Sequence, residues 1–340
     1  TKVLDDIGLL DGVREPFENL LTQGMVRKDG TAMSSSTGNV VSPRPFVAEY
    51  GADTARLFMM SAAQPQRDVD WTEEGARSAH QFLQSVHDLI ATYADGAVPT
   101  GEGGPAAEYV DREIAATAAA ATEEYEAFRI NHALQATREL VSLLRRYREY
   151  TTPDADTFER GLRTAVRLLA PVAPHVAEEC WDLLDGEGLV AEADWPAADP
   201  PDDYDIERRL VENTRDDIRD IVEVADIADP AEIVVTVAPE WKHRALDIAL
   251  DAGDDVVGSV MADEDLRQRG EAAADYAKDL QAEAPGLEAA LPPERERAAL
   301  ERARWLLEDE FDADVRVVDA ADAGEWAADA RPGKPAIDIA

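Results

Sequence analysis

Ala32-Met-Ser-Ser-Ser-Thr-Gly-Asn39 lies between two apolar runs, Asn19 to Val26 on one side and Val40-Val41 on the other. Residues this small and hydroxylated build no core. Between strand-like flanks they read as a loop whose backbone N–H groups and hydroxyls can come close to phosphate oxygens. The same eight residues also fit a plain serine-rich surface turn. The run from Asn19 to Val26 reads as a buried strand feeding the loop. Past the loop, Ser42-Pro43 reads as an N-cap with proline at the first helical position. Gly51 closes that helix, and Asp53 opens another through Met60.

Working outward, Thr72-Glu73-Glu74 starts a long helix with apolar positions Phe82, Val86, Leu89 and Ile90, which stops at Gly96. Gly96 to Pro105 is a flexible connection. From Tyr109 to Asp185 the pattern is helical throughout: Ile130, Leu134, Val141 and Leu144 keep the 3.6-residue period, as do Phe158, Leu162, Val166 and Leu169. This is a helix bundle. Gly186 to Asp203, with Pro196, Pro200 and Pro201, is the clearest linker. Beyond it come an amphipathic helix (Ile206 to Val222), a β-branched strand (Ile233–Val237), and helices over 241–250, 263–282 and 294–311. Short strands at 315–318 and 336–339 complete a small α+β domain. No internal repeat is present.

The composition sets the conditions. The chain has 340 residues, with 72 Asp plus Glu against 33 Lys plus Arg, for a net charge of −39. Only 5 of the 33 basic residues are lysines. With 45% hydrophobic residues it is not a disordered acidic tail. Abundant carboxylates, few lysines and much alanine describe a protein that stays soluble in concentrated salt, as in an extreme halophile. There, charge is screened to within about 3 Å at 1 M, so the negative total does not exclude an RNA partner. The single cysteine, Cys180, rules out a disulfide framework and a multi-thiolate site, and the five histidines form no ligand pattern, so no metal site is expected. No apolar run reaches the roughly 20 residues of a membrane span, and no signal peptide precedes the first element. A cytoplasmic protein without membrane association is expected. A first residue other than Met, within an apparent helix, reads as the C-terminal piece of something longer.

Context turns the opening loop into a motif. Gly24-Met-Val-Arg-Lys-Asp-Gly30, then Met33-Ser-Ser-Ser-Thr-Gly-Asn-Val-Val-Ser-Pro43, then Tyr50-Gly-Ala-Asp-Thr-Ala-Arg-Leu57 resembles the KMSKS signature region of class I aminoacyl-tRNA synthetases. Leu168-Leu-Ala-Pro-Val-Ala-Pro-His-Val-Ala-Glu-Glu-Cys-Trp181 resembles the hallmark helix of the anticodon-binding bundle of the Leu/Ile/Val group. Ala62-Ala-Gln-Pro-Gln-Arg-Asp-Val-Asp-Trp71, then Glu74-Gly75 and His80-Gln-Phe82, is most like the leucyl family. Val237-Ala-Pro-Glu-Trp-Lys242 and Arg331-Pro-Gly-Lys-Pro-Ala-Ile-Asp-Ile339 resemble its archaeal type of C-terminal extension.

The resemblance implies a mainly α chain in three parts. Residues 1–71 would be the end of a Rossmann-like catalytic domain, 72–198 the helical bundle, and 202–340 an α+β tRNA-binding domain. It implies ATP, with Mg2+, as cofactor, and leucine tRNA and leucine as partners. Leucine would be activated as the adenylate and passed to the tRNA. Met33, Ser34, Ser35 and Ser36 would form the catalytic loop, and Ser35, Gly38 and Asn39 would touch ATP. Both signature lysines are missing: Ala32 and Ser35 stand in their places. A neutral hydroxyl bond is worth about 0.5–1.5 kcal/mol and a charge-assisted one about 1.5–3. Lys28, on the same segment, is the expected replacement cation, with Arg27 and Arg44 next; a solvated turn residue is the plain alternative for Lys28. No His-x-Gly-His element and no editing insertion occur, so the isolated chain is expected to be inactive.

Among other residues, Arg145, Arg146 and Arg148, interleaved with Tyr147 and Tyr150, suit RNA contact, or equally a helix face paired with acids. Arg208 and Arg209 are a weaker pair of the same kind. Lys334, Ile337 and Ile339 are tail candidates by analogy with the archaeal type. His175 is expected to cap or pack, and Cys180 and Trp181 to be core. Two rival readings stand beside the leucine enzyme: a non-catalytic tRNA-binding paralogue, favoured by the lost lysines, and a valyl- or isoleucyl-specific relative.

Overall fold

Thr72 does start the long helix, its hydroxyl accepting the Gly75 N–H at 3.1 Å, and the chain leaves that helix through Gly96 at φ 67°. The structure is a computed structural model that describes residues 2–9, 17, 20–36, 38–197, 199–323 and 328–340. Its first elements are α1 (Lys2–Asp6), β1 (Val26–Lys28), β2 (Thr31–Ala32), α2 (Pro43–Tyr50), α3 (Ala52–Ser61), β3 (Val69–Asp70) and α4 (Glu73–Ala94). The bundle helices are α5 (Pro105–Glu126), α6 (Ile130–Tyr150), α7 (Ala155–Leu169) and α8 (Pro174–Leu183). Then follow α9 (Tyr204–Val224), β4 (Glu232–Val237), α10 (Glu240–Asp251), α11 (Val256–Ala262), α12 (Glu264–Arg267) and α13 (Glu271–Glu283). The chain closes with α14 (Pro293–Phe311), β5 (Asp314–Asp319) and β6 (Ala336–Ile339). No described helix is long and apolar enough to cross a membrane.

These elements form two units: Thr1–Ala97 with Thr117–Val141 and Arg163–Ala197, and Val98–Ala116 with Ser142–Leu162 and Ala198–Ala340. In the first unit, α4 buries Ala79, Leu83, Val86, Leu89 and Ile90; of the positions read from the sequence, Val86, Leu89 and Ile90 are core, whereas Phe82 is only half-buried, with Leu83 taking its place. Trp71 ties the start of α4 to the two preceding helices, its ring edge-on at 4.9 Å to Phe46 on α2 and at 4.9 Å to Phe58 on α3. Cys180 and Trp181 are core, and burial pushes the Cys180 thiol up to about 12, which keeps it a protonated, inert apolar group. The proline-rich linker is packed down: Glu178 accepts from Val190 N–H at 2.8 Å, and Trp195 Nε1 donates to Thr122 at 2.7 Å.

In the second unit β4 is the central strand, parallel to β5 and antiparallel to β6. A parallel neighbour requires a long crossover, and α10 to α14 supply it. Ile233, Val235 and Val237 pack with Val315, Val317 and the inner faces of α9 and α14. A second cluster joins α10, α11 and α13 through Leu246, Val260, Ala277 and Leu280.

Two sequence expectations fail. The run before the loop is not a buried strand: the strand is only Val26–Lys28, Leu20 is 85% exposed, and Asn19 lies outside the described residues. That segment is held by backbone contacts instead. Gly24 N–H donates to Pro65 O at 2.8 Å, and any side chain at Gly24 would collide with the Arg67 carbonyl. The expected helix over 263–282 is two helices, because Gly270 adopts φ 62° between α12 and α13. Ser42 stands at the N-cap of α2 as expected, but its hydroxyl makes no capping bond.

Candidate functional site

The loop grows from a tight hairpin. β1 and β2 pair antiparallel, and the two connecting residues, Asp29 at φ 55° and Gly30 at φ 72°, take the left-handed conformations that such a turn demands. β3 then pairs parallel to β1, with Trp71 N–H donating to Arg27 O at 2.7 Å. The hairpin is thus anchored through Trp71 to α2 and α3.

Asn39 closes the loop. Its side-chain oxygen accepts from Ser34 N–H at 2.8 Å, while its amide donates to Thr31 Oγ1 at 3.0 Å and Ala32 O at 3.2 Å. Gly38 N–H donates to Ser34 O at 3.1 Å with Gly38 at φ 72°. Ser34 and Ser36 hydroxyls share a 2.7 Å hydrogen bond, Ser35 is exposed at the turn, and Met33 is half-buried. Thr37 lies outside the described residues. The loop is therefore pre-shaped, with hydroxyls and N–H groups concentrated in six residues and no carboxylate among them.

The three candidate replacement cations separate clearly. Arg27 is committed to Asp68, whose carboxyl lies below its usual range because Met25 N–H donates to it and Arg27 adds its charge. Lys28, next in β1, and Arg44, at the start of α2, have no described carboxylate partner. Lys28 stands on the hairpin strand leading to the loop rather than in the loop itself.

Two residues of α3 make contacts the sequence did not foretell: Asp53, expected to open its own helix, makes no capping bond there, and Arg56 has no role assigned from the sequence. Asp53, 5% exposed, accepts from Val176 N–H at 2.7 Å and lies 2.8 Å from His175 Nδ1. Arg56, one turn on, donates to Val172 O at 2.7 Å and Pro171 O at 3.0 Å. Together they grip the Pro171–Val176 turn that starts α8. Ala173, the N-cap residue there, has no side chain to cap with, and Pro174 offers no N–H, so Asp53 caps α8 from another element. Asp53 and Arg56 thus join the two signature stretches physically. Their i, i+3 spacing on a short helix was the available signal.

In the second unit, the arginine cluster divides. Arg146 is taken by Asp309 at 2.5 Å and by Leu306 O at 3.3 Å. Arg145 is exposed without a described carboxylate partner, and one terminal nitrogen of Arg148 is buried without a hydrogen bond. Tyr147 is core, between Phe158 and Trp305. Arg208 is drawn to Glu113 at 3.0 Å and Arg209 to Glu288, which answers the weaker of the two arginine readings in favour of ion pairing. In the tail, Ile337 and Ile339 hold β6 against β4 and are half-buried, while Lys334 sits exposed in the turn before it, 3.9 Å from Asp217.

Two family models match this chain: tRNA synthetases class I (I, L, M and V) over residues 8–72, and the anticodon-binding domain of tRNA ligase over residues 107–236. A leucine–tRNA ligase of Halobacterium salinarum is 51% identical over the whole chain. The chain belongs to the leucine–tRNA ligase family. Further members, from Geotalea daltonii and Citrifermentans bemidjiense, are 38% and 39% identical over 72% and 68% of the chain. The chain spans 38% of the Halobacterium protein's length and 31% and 29% of the other two, and corresponds to the C-terminal portion of the family's proteins. Among solved structures, the leucyl-tRNA synthetase of Agrobacterium radiobacter K84, crystallised as a ternary complex with tRNA and LeuAMS, matches with a TM-score of 0.52 at 25% identity. That match covers 79% of this chain and 33% of that one. The family assignment agrees with the mainly helical architecture that the bundle periodicity implied, and a haloarchaeal relative at this identity agrees with the acidic, lysine-poor composition. Leucine enzymes among the relatives weigh against the valyl or isoleucyl reading.

Proposed function

We propose that this chain is the tRNA-binding and loop-bearing portion of an enzyme that activates leucine with ATP and transfers it to leucine tRNA. The observation that carries this is the 51% identity, over the whole chain, to a leucine–tRNA ligase. In such a reaction the leucine carboxylate attacks the α-phosphorus of ATP, and pyrophosphate leaves carrying the displaced electron pair. The loop Ala32–Asn39 suits a triphosphate: it presents N–H groups and hydroxyls, and it places no carboxylate against the ligand. Mg2+ would ride on the phosphates, since the loop offers no acidic ligands to hold it.

Ser34, Ser35 and Ser36 donate to phosphate oxygens, Met33 anchors the loop, and Gly38 and Asn39 hold its shape around the nucleotide. Lys28 supplies the positive charge that Ala32 and Ser35 lack, meeting the negative charge that develops on the departing pyrophosphate. Residues 1–71 complete the catalytic domain, 72–198 form the bundle that reads the tRNA, and 202–340 form the appended tRNA-binding domain. Arg145 and Arg148 contact phosphates, with Arg146 fixing their helix through Asp309. Lys334 serves the same purpose in the tail, in the turn before a strand that Ile337 and Ile339 hold against β4.

The test is aminoacylation by the full-length protein in molar KCl. Charging of leucine tRNA with leucine is expected. Tight binding of leucine tRNA without charging, by a protein that is otherwise folded, would refute the enzyme reading and favour a tRNA-binding paralogue.

A further inference from the structure

In the second unit, α10, α13 and the turn between α12 and α13 line an open cleft of about 1640 Å³ that holds two aromatic rings and as many basic as acidic side chains. Trp241 and Tyr276 meet edge to face, with ring centres 5.5 Å apart. Lys242, only 5% exposed, is fixed beneath them by two carbonyls, Ala328 O at 2.6 Å and Ala330 O at 2.7 Å, with its ammonium 5.7 Å and 5.3 Å from the two ring centres. Above the indole lies the Arg269 guanidinium, 5.6 Å from the ring centre. Arg269 is exposed on the turn that Gly270 reverses at φ 62°, and no described carboxylate pairs with it. Arg244, at the same cleft, is by contrast consumed by Asp263 and Asp265.

The balance of charge is what singles out this surface. The described lining carries four Lys or Arg and four Asp or Glu, whereas the chain as a whole carries more than two acids for each base. A guanidinium that lacks an acid partner and is backed by an indole face offers a base a flat cationic surface to stack on. Such stacking acts at contact range, so it survives the short screening length of concentrated salt, where long-range attraction is lost. Planar faces select an unpaired base over a paired one, and select weakly among bases.

We propose that the Trp241–Arg269 cleft binds one unpaired nucleotide of an RNA, with the base stacked on the Arg269 guanidinium that overlies the indole. The proposal rests on the reading of this protein as a tRNA binder and adds a location and a chemistry to it. Arg269→Ala removes an exposed side chain, and Trp241→Phe keeps an aromatic ring in the half-buried position; melting curves of both verify the fold. Binding of fluorescently labelled leucine tRNA, of a single-stranded oligouridylate and of an RNA duplex is titrated by anisotropy in 1 M KCl with the whole chain and with each variant.

Arg269→Ala is expected to weaken the tRNA and the oligouridylate about 10-fold, with Trp241→Phe intermediate and duplex binding unchanged. Equal tRNA and oligouridylate affinities for wild type and both variants would overturn the cleft assignment while leaving tRNA binding intact. Failure of the wild-type chain to bind leucine tRNA at all would refute the underlying reading instead. Displacement of the oligouridylate by AMP at matched nucleotide concentration would reassign the cleft to a free nucleotide and overturn the RNA proposal.

Discussion

Replacing Asp53 by alanine tests whether α8 is held by α3. The carboxylate is buried, and it is the only described group that caps the α8 N-terminus, through a 2.7 Å bond from Val176 N–H. Removing it forfeits a charge-assisted bond of about 1.5–3 kcal/mol. It also forfeits a favourable charge at a helix N-terminus, about 0.3–1 kcal/mol. The sum is about 2–4 kcal/mol, which lowers a melting temperature by roughly 5–15 °C for a unit of this size. His175, the other partner of Asp53, has a side chain 78% exposed. His175→Ala should therefore cost at most about 1 kcal/mol. Asp53→Asn retains an acceptor for Val176 N–H and should fall between the two. The assay is thermal unfolding followed by circular dichroism in 2 M KCl, where exposed ion pairs are screened and the buried cap is not. If Asp53→Ala melts within 1 °C of wild type, or if His175→Ala costs as much as Asp53→Ala, the cap does not join these helices.

The remaining expectations concern the second unit. Arg145→Ala should weaken leucine tRNA binding several-fold and leave the melting temperature within 1 °C, whereas Arg146→Ala, which breaks the Asp309 pair, should lower the melting temperature by several degrees; anisotropy and calorimetry on the same samples separate the two. Burial raises the Glu296 carboxyl to about 7, against the opposing bond from Gly333 N–H, so the folded chain keeps a proton that the unfolded chain releases near pH 4.5. Stability from this group is then full below about pH 4.5 and declines as pH rises through 7, by on the order of 3 kcal/mol. Glu296→Gln should remove that slope, measured as the difference in unfolding free energy between the two proteins from pH 5 to 8, with the double variant Glu296→Gln, His243→Ala against His243→Ala isolating it from the neighbouring imidazole 3.6 Å away.

The sequence was readable where the signal is local. Thr72 with Glu73 and Glu74, the apolar positions Val86, Leu89 and Ile90, and the β-branched Ile233–Val237 each carry their own periodicity or cap, and each element formed where expected. The misread run before the loop is apolar without being buried, because its position is set by Gly24 and Met25 bonding to the chain near Pro65 and Asp68. The short helix α11 was missed: seven residues carry too little pattern, and its cap, Asp255, resembles its acidic neighbours. Long-range pairing was the least legible. Asp53 meets Val176 and Arg56 meets Val172 across more than a hundred residues, and Arg146 finds Asp309 at greater separation still. In a chain this rich in acids, the sequence alone cannot say which arginines are already paired. The structure separates Arg145 from Arg146, and Lys28 from Arg27.

Under the proposed function, a loop without its signature lysines still serves leucine activation, with Lys28 supplying the charge. The direct measurement is amino-acid-dependent ATP–pyrophosphate exchange by the full-length protein in molar KCl, for wild type and Lys28→Ala. Exchange is expected with leucine and not with valine or isoleucine, reduced about 10- to 100-fold by Lys28→Ala, in keeping with the loss of one charge-assisted bond. Undiminished exchange by Lys28→Ala would contradict the lysine's role, and no exchange with any amino acid would show that the lysine-free loop does not serve activation.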